Sequence, residues 1–502
     1  MHIIAIDQGT TSTRAILFDN GARPVASAQM ELPQHYPAPG QVEHDPEEIW
    51  RDTVTAVRQV LKQSGLGTRD IGAIGITNQR ETTLIWDRES GRPIHNAIVW
   101  QDRRGEAMCR ALREAGHEDM IRDRTGLLLD PYFSATKIAW LLETVEGART
   151  MAREGRLAFG TIDSFLLWRL TGGRVHAVDA TNASRTMLYD IRRGEWCSDL
   201  CALFGVPMDV LPEVRDSAGI FGETDPNLFG GAITIAGVAG DQQAALIGQG
   251  CFGRGEAKAT YGTGCFMLLN TGDDAVASRH RLLTTVAYRL NGRSTYALEG
   301  AIFVAGAAVK WLRDGLGLIT EAAQTQEMAG AVEDNGGVYL VPAFAGLGAP
   351  HWRPDARALL SGMTLGTGAA HLARAALESV AYQTHDLIEA MRSDGAGVEV
   401  LRVDGGMSAN DWLCGFLASL LDCRIIRPAM LETTARGAAL LAGHGIGLWP
   451  DMASADALRE DTTQFGPAMA PGVRRRLIGE WHEALARALH DPAGLELSAS
   501  RA

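Results

Sequence analysis

The sequence has no apolar stretch long enough to cross a bilayer, for which a helix needs about 20 residues. The apolar run at residues 3–6 is also too short for the core of a secretory signal. The seven cysteines are an odd number and include no CxxC pair, which indicates reduced thiols in a cytosol. These absences predict a cytoplasmic protein with no membrane insertion.

Positive charge is also scarce, because 47 Lys and Arg residues face 60 Asp and Glu residues and leave a net charge of −13. This excess of negative charge argues against nucleic acid or an anionic membrane surface as a general partner. Any phosphorylated ligand must therefore be met by local basic side chains, backbone NH groups or a metal ion. The composition is 46% hydrophobic and 21% charged, as in soluble globular proteins, and 502 residues predict two or three domains.

The most informative stretch is residues 232–248. Its apolar, β-branched start at residues 233–238 predicts a buried strand, and Asp241 follows directly after Gly240. Asp241 is therefore expected at the carboxyl end of a strand, where open α/β sheets bind their ligands. A carboxylate there can accept a proton from a substrate hydroxyl, although an aspartate in this place can equally be a helix N-cap.

Two strand–turn–strand patterns lie about half a chain apart. In the first, a strand at residues 3–6 ends in Asp7, and a threonine-rich turn at residues 9–12 leads into a second strand. In the second, residues 256–270 place a glycine turn at residues 262–264 between two strands. Such turns offer NH groups and hydroxyls to phosphate oxygens, and Asp7 is placed to hold Mg²⁺ through water. An ordinary β-hairpin has the same local pattern, but its repetition predicts an internal duplication with a cleft between the halves.

Other polar and aromatic residues follow further predicted strands. Arg80 and Glu81 come after a buried strand at residues 71–77, and they form either a surface ion pair or a donor and an acceptor for a polyhydroxylated ligand. Trp100, at the end of a strand predicted at residues 97–100, and Tyr132 are aromatic walls of such a site or ordinary core residues.

Two more segments of the second half are candidates for nucleotide binding. A strand at residues 400–403 leads into a glycine turn that contains Gly406 and suits adenosine or an α-phosphate. Residues 301–312 predict a helix of small apolar residues that carries Gly306 and ends near Lys310.

These residues resemble the carbohydrate-kinase family, whose fold is shared with actin and hexokinase, and within it the glycerol kinases. The Asn-Gln-Arg-Glu-Thr and Gly-Asp-Gln-Gln strings are the narrower signals and point to glycerol. The matching strings run in order along almost the whole chain: Asp-Gln-Gly-Thr-Thr-Ser at 7–12, Gly-Ile-Thr-Asn-Gln-Arg-Glu-Thr at 75–82, Asp-Pro-Tyr-Phe-Ser at 130–134, Thr-Asn-Ala-Ser-Arg-Thr-Met at 181–187, Ala-Gly-Asp-Gln-Gln-Ala-Ala at 239–245, Tyr-Gly-Thr-Gly-Cys-Phe-Met at 261–267 and Val-Asp-Gly-Gly at 403–406.

The resemblance implies an α/β fold of two duplicated actin-like (ribonuclease H-like) domains with a catalytic cleft between them. Residues 1–248 would form the N-terminal domain, which binds glycerol and phosphate. Residues 249–502 would form the C-terminal domain, which binds the nucleotide. A homo-oligomer, either a dimer or a tetramer, is also expected.

The resemblance also assigns roles to individual residues. The hydroxyls of glycerol would be bound by Arg80, Glu81, Tyr132, Asp241 and Gln242, with Trp100 and Phe266 against its CH face. Asp241 would also be the general base, and Asp7 would support Mg²⁺. The transferring phosphates would be held by Thr10, Thr11, Ser12 and Arg14, and ATP by Thr263, Gly306, Gly406 and Asn410. Lys310 stands where the family usually carries Gln, and it is a further candidate for a phosphate or ribose.

The implied reaction is in-line phosphoryl transfer from MgATP to glycerol, which gives glycerol 3-phosphate and depends mainly on positioning and charge stabilisation. The alternative is a kinase for another small polyol or a ketose of the same family. A nucleotide-switched binding protein is the rival from another class, but it would need no polyol site around Arg80, Glu81 and Asp241.

Control of activity is expected to differ from that of some relatives. Some bacterial glycerol kinases bind fructose 1,6-bisphosphate through a glycine-rich loop before the catalytic strand, and others are activated by phosphorylation of a histidine in this region. The matching residues 225–235 contain no basic side chain, and no histidine occurs between His176 and His280. Since a doubly phosphorylated sugar needs cationic or NH-rich partners, we expect both switches to be absent.

Overall fold

The computed structural model describes residues 1–456 and 462–490. Two large sheets, of six and seven strands, dominate it, and five pairs of short strands lie around them. The strands are β1 His2–Gln8, β2 Ser12–Phe18, β3 Pro24–Glu31, β4 Glu43–His44, β5 Ile71–Asn78, β6 Leu84–Asp87, β7 Ala97–Ile98, β8 Leu157–Gly160, β9 Ala177–Asp179, β10 Tyr189–Asp190, β11 Glu195–Trp196, β12 Glu213–Arg215, β13 Ala218–Glu223, β14 Thr234–Gly240, β15 Glu256–Tyr261, β16 Cys265–Gly272, β17 Leu283–Leu290, β18 Arg293–Ile302, β19 Tyr339–Val341, β20 Leu359–Ser361, β21 Val400–Asp404, β22 Arg424–Pro428 and β23 Thr462–Phe465.

The helices connect and cover these strands, and short 3₁₀ turns add to them at Thr68–Asp70, Met208–Val210 and Gly406–Ala409. The α-helices are α1 Pro46–Ser64, α2 Glu106–Glu114, α3 Glu118–Thr125, α4 Ser134–Thr144, α5 Ala148–Arg153, α6 Ile162–Leu170, α7 Ala180–Ala183, α8 Ser198–Phe204, α9 Pro226–Phe229, α10 Asp241–Gly248, α11 Gly306–Lys310, α12 Gln324–Gly330, α13 Ala369–Ser393, α14 Asp411–Leu421, α15 Thr433–Gly445, α16 Met452–Asp456 and α17 Pro471–Leu489.

The two large sheets share one topology. In the first, β3, β2 and β1 are antiparallel neighbours, and β5 and then β14 continue the sheet parallel to β1. In the second, β18, β16 and β15 are antiparallel, and β21 and then β22 continue parallel to β15. The same five-strand pattern therefore occurs twice, which confirms the predicted duplication and the predicted fold class.

Both faces of the first sheet are buried, which explains why its central strands are apolar without alternation. Ile4 and Ile6 of β1 belong to the core that contains α1, whereas Ile3 and Ala5 point to the opposite face and pack with α15. Because successive side chains of a strand point to opposite faces, each face of β1 needs its own apolar set.

Helix α15 comes from the second half of the chain, yet it lies on the first sheet. A Cβ atom at Gly75 of β5 would collide with the backbone of Ala438, so a glycine is needed for α15 to approach the strand this closely. The proposed division after residue 248 thus places this helix in one half and the sheet it covers in the other. Of the proposed second half, residues 457–461 and 491–502 lie outside the described part of the chain.

Two local predictions were wrong in their bounds. The helix predicted at residues 301–312 starts only at Gly306 and continues into a π-helical turn at Trp311–Gly315, because residues up to Ile302 pair with β16 as part of β18. The strand predicted at residues 97–100 is the short β7, so Trp100 lies beyond it. Pairing with neighbouring strands overrides the local preference of small residues for a helix.

Within the described ranges, no helix is both long enough and apolar enough to span a membrane. All seven cysteines are unpaired and buried, as expected for thiols used in packing.

Candidate active site

Three neighbouring parallel strands of the first sheet end at one edge, and each end carries a candidate residue. Asp7 lies near the end of β1, Arg80 and Glu81 follow β5, and Asp241 follows β14. Helix α10 begins at Asp241 with Gly240 in the cap position, so Asp241 is not the N-cap. Its carboxylate instead accepts the backbone NH of Gln242 at 2.7 Å and leaves the other oxygen available to a ligand.

Arg80 is the centre of the charged residues at this edge. Its guanidinium forks onto the Glu299 carboxylate at 2.5 and 3.0 Å, and its Nε lies 3.3 Å from Asp241 Oδ1. The side chain of Asp241 is 30% exposed into the cleft. Enclosure by the cleft raises the pKa of this carboxyl, and the nearby Arg80 and Lys258 charges oppose that rise. The carboxyl of Asp241 is therefore a stronger base than an ordinary aspartate.

Two residues that the sequence did not reveal complete the arginine–carboxylate cluster. Arg185 donates to Glu81 at 2.6 Å and to Glu299 at 3.0 Å, and both Arg185 and Glu299 are buried. Burial would raise the pKa of Glu299, but the guanidiniums of Arg185 and Arg80 bring it down to about 2. Burial raises the pKa of Glu81, because only Arg185 lies close to its carboxylate, at 2.6 Å, whereas Arg80 Nε is 3.9 Å away. Arg185 falls in the quoted 181–187 string, whereas nothing local marked Glu299.

Lys258, on β15, brings a third buried cation from the second half of the chain. Its Nζ donates to Gln242 Oε1 and to Thr260 Oγ1, the latter at 3.0 Å. Burial lowers the pKa of Lys258, while the carboxylates of Asp404 and Asp241 oppose the change. The cluster thus brings together three basic side chains and three carboxyl groups, namely Arg80, Arg185 and Lys258 with Glu81, Asp241 and Glu299.

The three aromatic residues proposed as walls do lie together. The ring of Trp100 makes T-shaped contacts with the rings of Tyr132 and Phe266. The distances between ring centroids are 5.6 and 6.4 Å, respectively. The Tyr132 hydroxyl also lies 3.5 Å from Arg80 Nη2. Trp100 Nε1 donates to Thr10 Oγ1 at 3.0 Å, which ties the aromatic wall to the turn proposed for phosphate. Phe266 is on β16, so the wall is closed from the second half.

The residues in and after the turn between β1 and β2 differ in their exposure and in their partners. Thr11 is exposed and Ser12 is buried, while Arg14 on β2 pairs with Glu432 at 2.6 Å rather than pointing freely at the cleft. Asp7 is buried, and desolvation raises its pKa to about 6, with Arg14 opposing and Asp241 adding to the rise. A carboxylate that is costly to ionise in this way suits a hard cation such as Mg²⁺, which favours oxygen ligands. The residues present therefore fit the ion.

The five nucleotide candidates of the second half surround one cavity of about 720 Å³. Apolar side chains such as Val309, Leu377 and Met407 form part of its lining, which suits the flat face of a base. The side chain of Asn410 caps α14 at Leu413 NH, and Lys310 is exposed at the cavity. The predicted residues in the lining are Thr263, Gly306, Lys310, Gly406 and Asn410.

Comparison with known proteins gives consistent matches over nearly the whole chain. Residues 2–248 match the N-terminal domain of the FGGY family of carbohydrate kinases, and residues 257–446 match the C-terminal domain. The chain is 60% identical to a glycerol kinase of Rhodospirillum centenum, over 97% of each chain. It is also 60% identical to a glycerol kinase of Methylobacterium nodulans, over 98% of this chain and 99% of the relative.

Two solved structures of carbohydrate kinases are similar to this chain over nearly its whole length. The crystal structure of Plasmodium falciparum glycerol kinase with ADP is 38% identical, covers 98% of both chains and has a TM-score of 0.93. A xylulose kinase from Rhodospirillum rubrum has a TM-score of 0.86 at 24% identity over 98% of this chain and 99% of that one, a likeness of fold alone.

Proposed function

The chain belongs to the FGGY family of carbohydrate kinases, and on that premise we propose that it transfers the γ-phosphoryl group of ATP to glycerol. The products are glycerol 3-phosphate and ADP. The observation that carries the proposal is the position of Asp241 at the end of β14, 3.3 Å from Arg80 and facing a site that Trp100 and Phe266 wall with aromatic rings.

The polar groups around Asp241 match a small polyol. A triol offers three hydroxyls, each both a donor and an acceptor, and a short CH face. Arg80 and Tyr132 supply donors, Glu81 and Asp241 supply acceptors, and the amide of Gln242 supplies either. The edge of Trp100 and the ring of Phe266 take the CH face. Polar groups buried at such a site reject an analogue that lacks a hydroxyl, since they would be left unpaired.

Asp241 is the general base in this proposal. The primary hydroxyl that attacks the γ-phosphoryl group must lose its proton, and a carboxylate within hydrogen-bond reach accepts it. Enclosure raises the pKa of Asp241, which increases its affinity for the proton. Arg80 keeps the carboxylate oriented, and Glu299 in turn fixes Arg80.

The phosphates of ATP would lie between the two hairpin turns, in contact with Thr10, Thr11, Ser12 and Arg14 from the first half. The nucleoside would occupy the cavity lined by Thr263, Gly306, Gly406 and Asn410, with Lys310 near a phosphate or the ribose. Asp7 would help to hold Mg²⁺, which would supply positive charge to the transferring phosphates. Closure of the two domains on the cleft would exclude water and so limit the hydrolysis of ATP.

The alternative is a kinase for another small polyol or a ketose such as D-xylulose. The resemblance in fold to xylulose kinases does not distinguish the two, since the fold hosts several sugar substrates. The aromatic wall at Trp100, Tyr132 and Phe266 supports the smaller substrate, because its rings pack against one another and leave a short site.

The test is a coupled assay of ADP release with glycerol, erythritol, D-xylulose and gluconate. We expect kcat/KM for glycerol to exceed that for each other substrate by at least about a hundredfold, the scale of several well-placed hydrogen bonds. A higher kcat/KM for erythritol or D-xylulose would replace the proposal with the alternative, and a higher kcat/KM for gluconate would overturn both.

A further inference from the structure

A second cluster of imidazole and carboxylate side chains lies between α13 and α17. Asp386 on α13 is 8% exposed. Its Oδ1 lies 3.0 Å from His482 Nε2 on α17 and 3.4 Å from Nδ1 of the neighbouring His385. The three potential ligand atoms all lie within 4.8 Å of one another. Across residues 1–456 and 462–490, no other His, Cys, Asp or Glu side chains form such a group.

The carboxylate of Asp386 is fixed in its orientation. Its Oδ2 accepts a hydrogen bond from Trp481 Nε1 at 2.9 Å, and the buried Trp481 ring stacks on Tyr382 with centroids 5.3 Å apart. Because Oδ2 is held in this way, Oδ1 is presented to the two imidazoles. A hydrogen bond of this kind to a metal-binding carboxylate fixes its geometry in known metal sites.

We propose that His385 Nδ1, Asp386 Oδ1 and His482 Nε2 bind a divalent transition-metal ion of the zinc class. Ligands about 2.0–2.1 Å from a tetrahedral ion are roughly 3.3 Å from one another. The distances from Asp386 Oδ1 to the two imidazole nitrogens, 3.0 and 3.4 Å, match this spacing between ligands. The two imidazole nitrogens lie within 4.8 Å of each other, and the His482 side chain is 52% exposed, which leaves it room to rotate and shorten this distance.

The donor set decides which ions the site selects. Two imidazole nitrogens favour zinc, copper, nickel or cobalt, whereas Mg²⁺ and Ca²⁺ prefer oxygen ligands. The ion is thus chemically distinct from the one that Asp7 would support in the cleft. A third imidazole, that of His351, has its Nε2 3.7 Å from the other carboxylate oxygen of Asp386, Oδ2.

An ion at this place would join the last described helix to the core. Helix α17 packs through Leu477, Trp481 and Leu485, and the ion adds a bond from His482 to α13. Leu377, which lines the nucleotide cavity, precedes Asp386 by nine residues on α13, or about 13 Å along the helix axis. The site is therefore separate from the chemistry, and its loss should leave kcat unchanged.

The test uses full-length protein freed of metal with a chelator and titrated with Zn²⁺ by calorimetry and with Co²⁺ by visible absorption. The variants are His482→Gln and the double variant His385→Gln/His482→Gln. The matched control is His490→Gln, which changes an exposed imidazole just after α17. Circular dichroism and ADP release check that each variant is folded.

We expect the wild type and His490→Gln to bind one equivalent more than the double variant, with the visible bands of a tetrahedral Co²⁺ site. His482→Gln should bind that equivalent at least about tenfold more weakly. Zn²⁺ should also raise the thermal midpoint of the wild type more than that of the double variant, since an ion that binds only the folded state stabilises it. Equal stoichiometry and affinity in the wild type and His482→Gln would overturn the proposal, as would a wild type with no extra equivalent. Asp386 would then only be an ion-pair partner of the imidazoles.

Discussion

Glu299→Gln removes one negative charge from the buried cluster and keeps the size of the side chain. Glu299 accepts two hydrogen bonds from Arg80, at 2.5 and 3.0 Å, and one from Arg185, at 3.0 Å. The variant leaves the buried guanidiniums of Arg80 and Arg185 without this carboxylate. Removing one partner of a buried ion pair costs about 3–5 kcal/mol, because the remaining charge is uncompensated.

The pKa of Glu299 gives a second estimate of this cost. It falls from the ordinary 4.5 to about 2 in the folded protein. A carboxyl with a lowered folded pKa contributes stability that is fully present above pH ~4.5 and is lost as the pH falls towards ~2. A shift of roughly 2.5 units corresponds to about 3 kcal/mol, which agrees with the cost of breaking the pair.

The assay is urea-induced unfolding at pH 7 of the wild type, Glu299→Gln and Glu389→Gln. Glu389 is the control, since it is an exposed residue on α13 paired with Arg392, and such pairs contribute less than about 1 kcal/mol. Because the charge of Glu299 also raises the pKa of Asp241, the acid limb of kcat/KM in Glu299→Gln should move to lower pH. A loss of stability in Glu299→Gln no larger than in Glu389→Gln would refute the account of the charge cluster.

Three further predictions concern the substrate, pH and regulation. Tyr132→Phe removes one neutral donor from the site and should raise KM for glycerol roughly threefold to tenfold with KM for ATP unchanged; equal rises in both would place the hydroxyl elsewhere. His176 packs against the rings of Trp86 and Trp168, and burial lowers its pKa to about 4. Between pH ~4 and ~6.5 the unfolded chain therefore binds more protons than the folded protein, so the free energy of unfolding falls as the pH falls through that window. In thermal melts, His176→Gln should reduce the loss between pH 7 and pH 5 by at most ~2 kcal/mol, and an unchanged loss would contradict this. Millimolar fructose 1,6-bisphosphate should leave the initial rate unchanged, because residues 225–235 carry no basic side chain; clear inhibition would show that the loop binds the sugar.

The positions of the strand-end residues could be predicted because each depends on a local pattern. Asp7, Arg80 and Asp241 each follow a short apolar run, and the end of a parallel strand is fixed by the sheet. The nucleotide candidates Thr263 and Gly406 could be found in the same way, since each lies in a glycine turn after a strand.

The partners of these residues could not be predicted, because they are set by tertiary contacts. Glu299 lies in the middle of β18 among apolar neighbours, and its partner Arg80 is 219 residues away. Lys258 is likewise one of two charged residues of β15, and nothing around it in the sequence indicates that it is buried beside Gln242. The placement of α15 on the first sheet depends on its close fit to Gly75. The spacing of apolar residues along α15 indicates a helix, but it does not indicate which sheet that helix covers.

The turnover of Asp241→Asn with glycerol and MgATP tests the central claim most directly. The substitution keeps the volume and removes the proton acceptor, so we predict a fall in kcat of about 10²–10⁴. Nucleotide binding measured without glycerol should be unchanged, and the control Asp273→Asn, at a position exposed on the surface, should have wild-type turnover. A kcat of Asp241→Asn within about threefold of the wild type would contradict the assignment of Asp241 as the base.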